Sequence, residues 1–166
     1  MLAAIACGDV FQPDAGGGAL RTDRAEYVAL RVTGSGASTI YSFTVVATFE
    51  NATDSTLYLA RCYPGTPYPI YYVELLSSNA SSESAFSPGW ACVGHEQQFA
   101  VAPGTVRTDT LHLFGPRAFD GNTGQPFGQL EGVMRLQYEV QGCPGDGACR
   151  LPDIDGSNSF RVSLGR

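Results

Sequence analysis

The stretch Tyr41 to Cys62, YSFTVVATFENATDSTLYLARC, limits what this chain can fold into more than any other part of it. Tyr41, Phe43, Val45, Ala47 and Phe49 fall on one face of an extended segment. Ser42, Thr44, Thr48 and Glu50 fall on the other, with Val46 the one apolar residue among them. A repeat of two marks a strand buried on one side, because successive Cβ atoms of an extended chain point to opposite faces. Asn51 to Thr56 supplies side chains that bond their own backbone in turns. Leu57, Tyr58 and Leu59 restart the apolar pattern, so the stretch predicts a hairpin that ends on a cysteine.

At 166 residues the chain is long enough for one domain with a substantial core and too short for two independent ones. Nine Phe, eight Tyr and an apolar content of 43% argue against disorder, while 20 Gly and 10 Pro call for many turns between short elements. All ten basic residues are arginine and the net charge is −6. Scattered cations in an acidic chain do not suit a phosphate backbone, so nucleic acid is not an expected partner.

The remaining strand signals follow in order. Val28, Leu30 and Val32 alternate with Ala29, Arg31 and Thr33. Three prolines between Tyr63 and Pro69 exclude a central strand there and predict a bend. Ile70 to Leu76 places Tyr71, Val73 and Leu75 on one face, and Ser77 to Ser84 reads as a polar surface loop. Trp90 and Cys92 would share a strand face, as a Trp beside a disulfide does in many small sandwiches. Phe99 and Val101 lead to the Pro103-Gly104 turn. In Thr105 to Phe114 the apolar positions Val106, Leu111 and Leu113 keep no single register, which predicts a bulge or a change of sheet near Asp109. Gly115 to Gly128 is a long Gly- and Pro-rich loop of the kind that often carries function. Gln129 to Gln141 alternates cleanly through Leu130, Met134, Leu136, Tyr138 and Val140, and Phe160, Val162 and Leu164 make a last strand. About eight strands without a helix predict an all-β fold, an antiparallel sandwich or barrel over residues 20–166.

Five cysteines stand at 7, 62, 92, 143 and 149. Setting Cys7 aside leaves four, and Cys143 and Cys149 bracket a short flexible loop that makes them a natural local pair. Cys62 is then expected to bond Cys92. A cysteine metal site is the weaker reading, because no CxxC pair is present and neither histidine sits at zinc spacing.

Met1 to Cys7 is a run of small apolar residues ending on a cysteine, followed by the Gly-rich segment Gly8 to Gly18. It resembles the end of a bacterial lipoprotein signal, in which the cysteine after small residues is lipidated. Ala4 stands where such signals usually carry Leu, and the basic leading segment is missing, which suggests a start placed too far downstream. The resemblance implies lipid on Cys7, with residues 1–19 as a truncated signal and flexible tether.

Catalytic chemistry is sparse in the sequence. No G-x-S-x-G stretch links a strand to a helix. His95-Glu96 and His112 are the only imidazole candidates for a small hydrolase. Asp153, Asp155 and Asn158 give Asp153 to Asn158 the oxygen-rich look of a calcium loop, although the glycine comes too early for an EF-hand and no closing Glu follows. No cofactor is expected. Asn51-Ala-Thr53 and Asn79-Ala-Ser81 match glycosylation sequons, which a bacterial origin would leave unmodified.

Thr22-Asp23 with Tyr27, Glu50-Asn51-Ala-Thr-Asp54, Leu57-Tyr-Leu-Ala-Arg-Cys62, Pro103-Gly104 and Gly132-Val-Met-Arg-Leu-Gln-Tyr138 together resemble the immunoglobulin-like β-sandwich domains of bacterial envelope lipoproteins. Their order is also similar to that of the intracellular proteinase inhibitor family of bacilli. The resemblance implies a sandwich at the cell envelope or outside the cell, tied to a membrane by its lipid anchor. It implies no activity, since no reactive-loop residue can be matched. The expected role is a non-enzymatic binding or interaction domain for a protein or glycan ligand. Self-association into a surface or filament subunit is one alternative. Protease inhibition through Gly115 to Gly128 or the serine-rich loop is another.

Overall fold

Twelve β-strands and no helix form among the described residues, which in this computed structural model are 18–33, 39–62, 65–76, 81–88, 97–116, 129–145, 149, 151 and 156–166. In chain order they are β1 (Gly18–Thr22), β2 (Glu26–Thr33), β3 (Ile40–Asn51), β4 (Leu57–Arg61), β5 (Tyr71–Leu76) and β6 (Ser81–Glu83). β7 (Ser87–Pro88), β8 (Gln97–Val101), β9 (Val106–Gly115), β10 (Gly132–Tyr138), β11 (Val140–Gln141) and β12 (Phe160–Leu164) follow. Nine join in one sheet, in the order β6-β5-β10-β12-β2-β3-β9-β7 with β1 also on β3, and β11-β4-β8 make a second. The count exceeds eight mainly because β6, β7 and β11 are only two or three residues long.

Residues 18–33 form the corner at which the large sheet turns over on itself. β1 runs antiparallel to β3, from Gly18 opposite Asn51 to Thr22 opposite Ala47. Residues 26–29 then pair in parallel with 161–164 of β12. Residues 30–33 return to β3, with a register shift between Arg31 and Thr33. One strand line therefore serves both layers, and its parallel contact with β12 departs from a purely antiparallel sandwich. Strands that switch sheets at a corner are a known way of closing such a fold.

The inward faces meet in one core. It takes Phe43, Val45, Ala47 and Phe49 from β3, Tyr71, Val73 and Leu75 from β5, Met134, Leu136 and Tyr138 from β10, and Leu57 and Leu59 from β4. Rings bind the layers at the corner: Tyr27 lies 5.4 Å from Phe43 and 5.2 Å from Phe160, the second edge to face. Offset and edge-on contacts of this kind add to the area they bury.

The strand expectations need four corrections. β3 and β4 do not form a hairpin, because β3 bonds β1, β2 and β9 while β4 bonds β8 and β11. β9 has no bulge near Asp109, since it pairs with β3 in unbroken register from Val106 opposite Glu50 to Gly115 opposite Tyr41. Its apolar alternation fails because inward positions carry Arg107 and Asp109 as an ion pair. Arg107 Nε donates to Asp109 Oδ2 at 3.0 Å and Nη2 to Oδ1 at 2.6 Å, and the Tyr138 hydroxyl donates to Oδ2 at 3.1 Å. A buried carboxylate needs such partners. Burial, and then the Asp109 charge, push the Tyr138 hydroxyl far above its ordinary range, which keeps it a donor.

The segment from 129 to 141 divides between sheets: β10 pairs with β5 and β12, and β11 with β4. The serine-rich segment is not all loop, because Ser81–Glu83 pairs with residues 74–76 and Ser84 is buried, its hydroxyl accepting from Phe86 N at 3.0 Å. The described residues open with β1 at Gly18, inside the segment 1–19 expected as tether.

Candidate interaction surface

On β2 the residues facing inward are Tyr27 and Ala29, both buried. Alternation therefore turns Val28, Leu30 and Val32 outward, and they stand 54%, 61% and 55% exposed. The local reason is a fixed entry to the strand. The Tyr27 hydroxyl donates to Asp23 Oδ1 at 2.7 Å, and the same oxygen accepts Val46 N at 2.9 Å from β3. With Tyr27 held against the core, the parity of the next residues follows. Burial would raise the Asp23 carboxyl, but the bonds from Tyr27 and Val46 outweigh it and hold the group below its ordinary value.

The stripe continues across the outer face. Leu30 lies opposite Ser42, and Ser42 lies opposite Phe114 of β9, itself 39% exposed. The C-terminal residues border it closely: a Cβ on Gly165 would stand 2.8 Å from Leu30 Cδ2 and 3.2 Å from Val28 Cγ1. Further along the same face are hydroxyls, with Thr44 Oγ1 3.1 Å from His112 Nδ1 and Thr48 Oγ1 3.4 Å from Thr108 Oγ1. Single exposed apolar residues are ordinary, whereas several on one face make that face a candidate contact surface. The alternation of Val28, Leu30 and Val32 was visible in the sequence. Their outward direction was not, because either face of that strand could have been the buried one.

The other candidate residues are placed as follows. Cys143 and Cys149 are bonded, with Cα atoms 5.7 Å apart. Cys62 is also disulfide-bonded, and its expected partner Cys92 lies outside the described residues with Trp90 and Cys7. His95, Asp153, Asp155, Asn79 and residues 117–128 of the long loop lie outside them as well. Asn158, the third calcium candidate, is engaged elsewhere: its Oδ1 accepts Thr22 N at 2.9 Å and its Nδ2 donates to Thr22 Oγ1 at 3.0 Å. Among the described residues no cluster of three or more His, Cys, Asp or Glu is arranged to hold a metal. The sequon asparagine Asn51 has no exposed surface, so its amide is out of reach of a glycosyl donor in the folded chain.

The pairing defines an immunoglobulin-like β-sandwich, with an apolar stripe on its corner strand. No family model and no curated protein matches the chain. Among solved structures it is similar to a β-glucosidase from Listeria innocua, at 14% identity and a TM-score of 0.38 over 90% of this chain and 16% of that one. It is also similar to the β-glucosidase EmGH1 from Erythrobacter marinus, at 13% identity and a TM-score of 0.37 over 89% of this chain and 15% of that one. A PapD-like domain of human CEP192 is matched at 10% identity and a TM-score of 0.32, over 99% of this chain and 94% of the domain. The chain thus spans about a sixth of the β-glucosidases it matches. Likenesses this distant carry no activity across, and the sandwich assignment rests on the strand pairing described above.

Proposed function

We propose that this chain is a non-enzymatic, extracytoplasmic interaction domain, held at a bacterial envelope by lipid on Cys7 and the glycine-rich segment after it. The observation that carries the reading is the exposed line Val28, Leu30 and Val32 with Phe114 beyond Ser42. Exposing these side chains to water has a cost that contact with a partner removes. The bonded state of Cys62 and of Cys143 with Cys149 fits an oxidising compartment.

Two measurements test the two halves of this reading separately. Mass spectrometry of the native protein from the membrane fraction should find an acyl mass on the Cys7 peptide, and an unmodified Cys7 there would remove the anchor. Replacement of Leu30 by Asp should leave the thermal midpoint almost unchanged and release the domain from its native complexes on size-exclusion chromatography. A variant that elutes as the parent does would remove the stripe from the account.

A further inference from the structure

We propose that Arg61 anchors a carboxylate-binding site at the end of the β4/β8 pair, for an acidic group of a protein or for a small free carboxylate. The inference is independent of the β2 stripe. Arg61 is the last residue of β4 and lies opposite Gln97, the first of β8. Its Nη2 donates to Gln97 Oε1 at 2.6 Å, and its guanidinium carbon stands 4.7 Å from the centre of the Phe99 ring. Arg107 stands over the same ring at 3.7 Å.

The two arginines differ in what answers their charge. Arg107 is paired with Asp109 and also donates from Nη2 to Pro67 O at 2.9 Å. Arg61 makes no ion pair among the described residues, and its Nε is sealed from water without an acceptor. Two guanidiniums on one ring, with one carboxylate between them, leave a positive charge in a half-buried place of a chain whose net charge is −6. The π-face of Phe99 offsets part of that cost, but a desolvated cation ordinarily keeps a counter-charge. A glutamate at position 97 would supply one, and this chain carries the neutral amide instead.

Gly65 has a φ of +92°, in the region that favours glycine, and a Cβ there would lie 3.7 Å from both Arg61 Nη2 and Gln97 Oε1. A larger residue would extend from beside the guanidinium; glycine adds no side chain there. With one Nη2 hydrogen on Gln97, the remaining Nη hydrogens present an end-on fork, which matches the two oxygens of a carboxylate.

The test is a titration of the folded protein, followed by the NMR resonances of the Arg61 Nε–H and the Gln97 side-chain amide. The probes are acetate, succinate and a short peptide with a free C-terminal carboxylate, against its amidated twin and chloride at equal ionic strength. The proposal predicts a saturable shift with carboxylates and none with chloride or the amidated peptide. A response to acetate and succinate identifies a site for free carboxylates, and a response to the acid peptide alone identifies the carboxylate of a protein partner. Arg61→Met should weaken binding by about tenfold or more. Gln97→Glu should raise the thermal midpoint and abolish binding, because it answers the charge from within. No saturable shift, an equal shift with chloride (an adventitious ion only), binding that survives either substitution, or a Gln97→Glu variant with a lowered midpoint would each overturn the proposal.

Discussion

Asn51 ends β3 without any exposed surface, and every polar atom of its side chain is used. Its Nδ2 donates to Ser55 O at 2.9 Å and to Val101 O at 2.8 Å, and its Oδ1 accepts from Thr53 N at 3.0 Å and Thr53 Oγ1 at 2.6 Å. The side chain thus ties the turn to β8 in the other sheet. Asn51→Ala removes these bonds, of which the one to Val101 O is buried, so it should cost roughly 2–4 kcal/mol in urea denaturation. A loss near zero would mean that the turn holds its shape without the amide. Asp23 gives a test in pH. Its carboxyl lies below its ordinary value in the folded chain, so the unfolded chain takes up the proton first as pH falls. The stability it contributes is present above its unfolded pKa and is lost as pH drops through the folded one. Asp23→Asn should flatten the fall in urea midpoint between about pH 5 and about pH 3. An unchanged slope would assign that fall to other carboxylates.

At the scale of elements, local pattern was readable and pairing was not. The inward sets of β3, β5 and β10 were correct as read, because alternation is a property of neighbouring residues. The pairing of β3 with β9, across some sixty residues, has no local signature, and neither has the crossing from β3 to β4 between sheets. In β9 the alternation of apolar residues breaks where Arg107 and Asp109 take inward places, so a change of polarity there has the same sequence pattern as a backbone irregularity. The short loop between Cys143 and Cys149 was legible as a cystine from spacing alone. Its docking depends on distant residues, since Gly145 N donates to Gln98 Oε1 at 3.1 Å and Gln98 Nε2 returns to Gly145 O at 2.9 Å, besides bonding Gln141. Replacing both Cys143 and Cys149 by Ser should cost roughly 2 kcal/mol on the loop-entropy model. Hydrogen exchange should then quicken at Gly142, Gly145 and Leu151, whose amides bond Cys149 O, Gln98 Oε1 and Val140 O, and stay slow along β3 and β9. Uniform quickening would show instead that the loop and the main sheet open together.

Taken whole, the molecule is a sandwich whose two layers share the strand line of residues 18–33, and that arrangement decides which side of β2 meets water. Composition and strand spacing were enough to place the chain in its fold class. The stripe needed the tertiary structure, because Tyr27 claims the core through Asp23 and β3, and only then do Val28, Leu30 and Val32 face outward. The interaction reading stands or falls on whether that line is occupied in the cell. A photo-crosslinking amino acid placed at Leu30, with one at Thr110 on the outer face as control, tests this in the producing cells. The account predicts one discrete adduct from position 30, lost when Val28 and Val32 are both replaced by Asp, and no such adduct from position 110. Equal labelling at both positions, or no adduct at position 30 with the protein correctly folded, would contradict it.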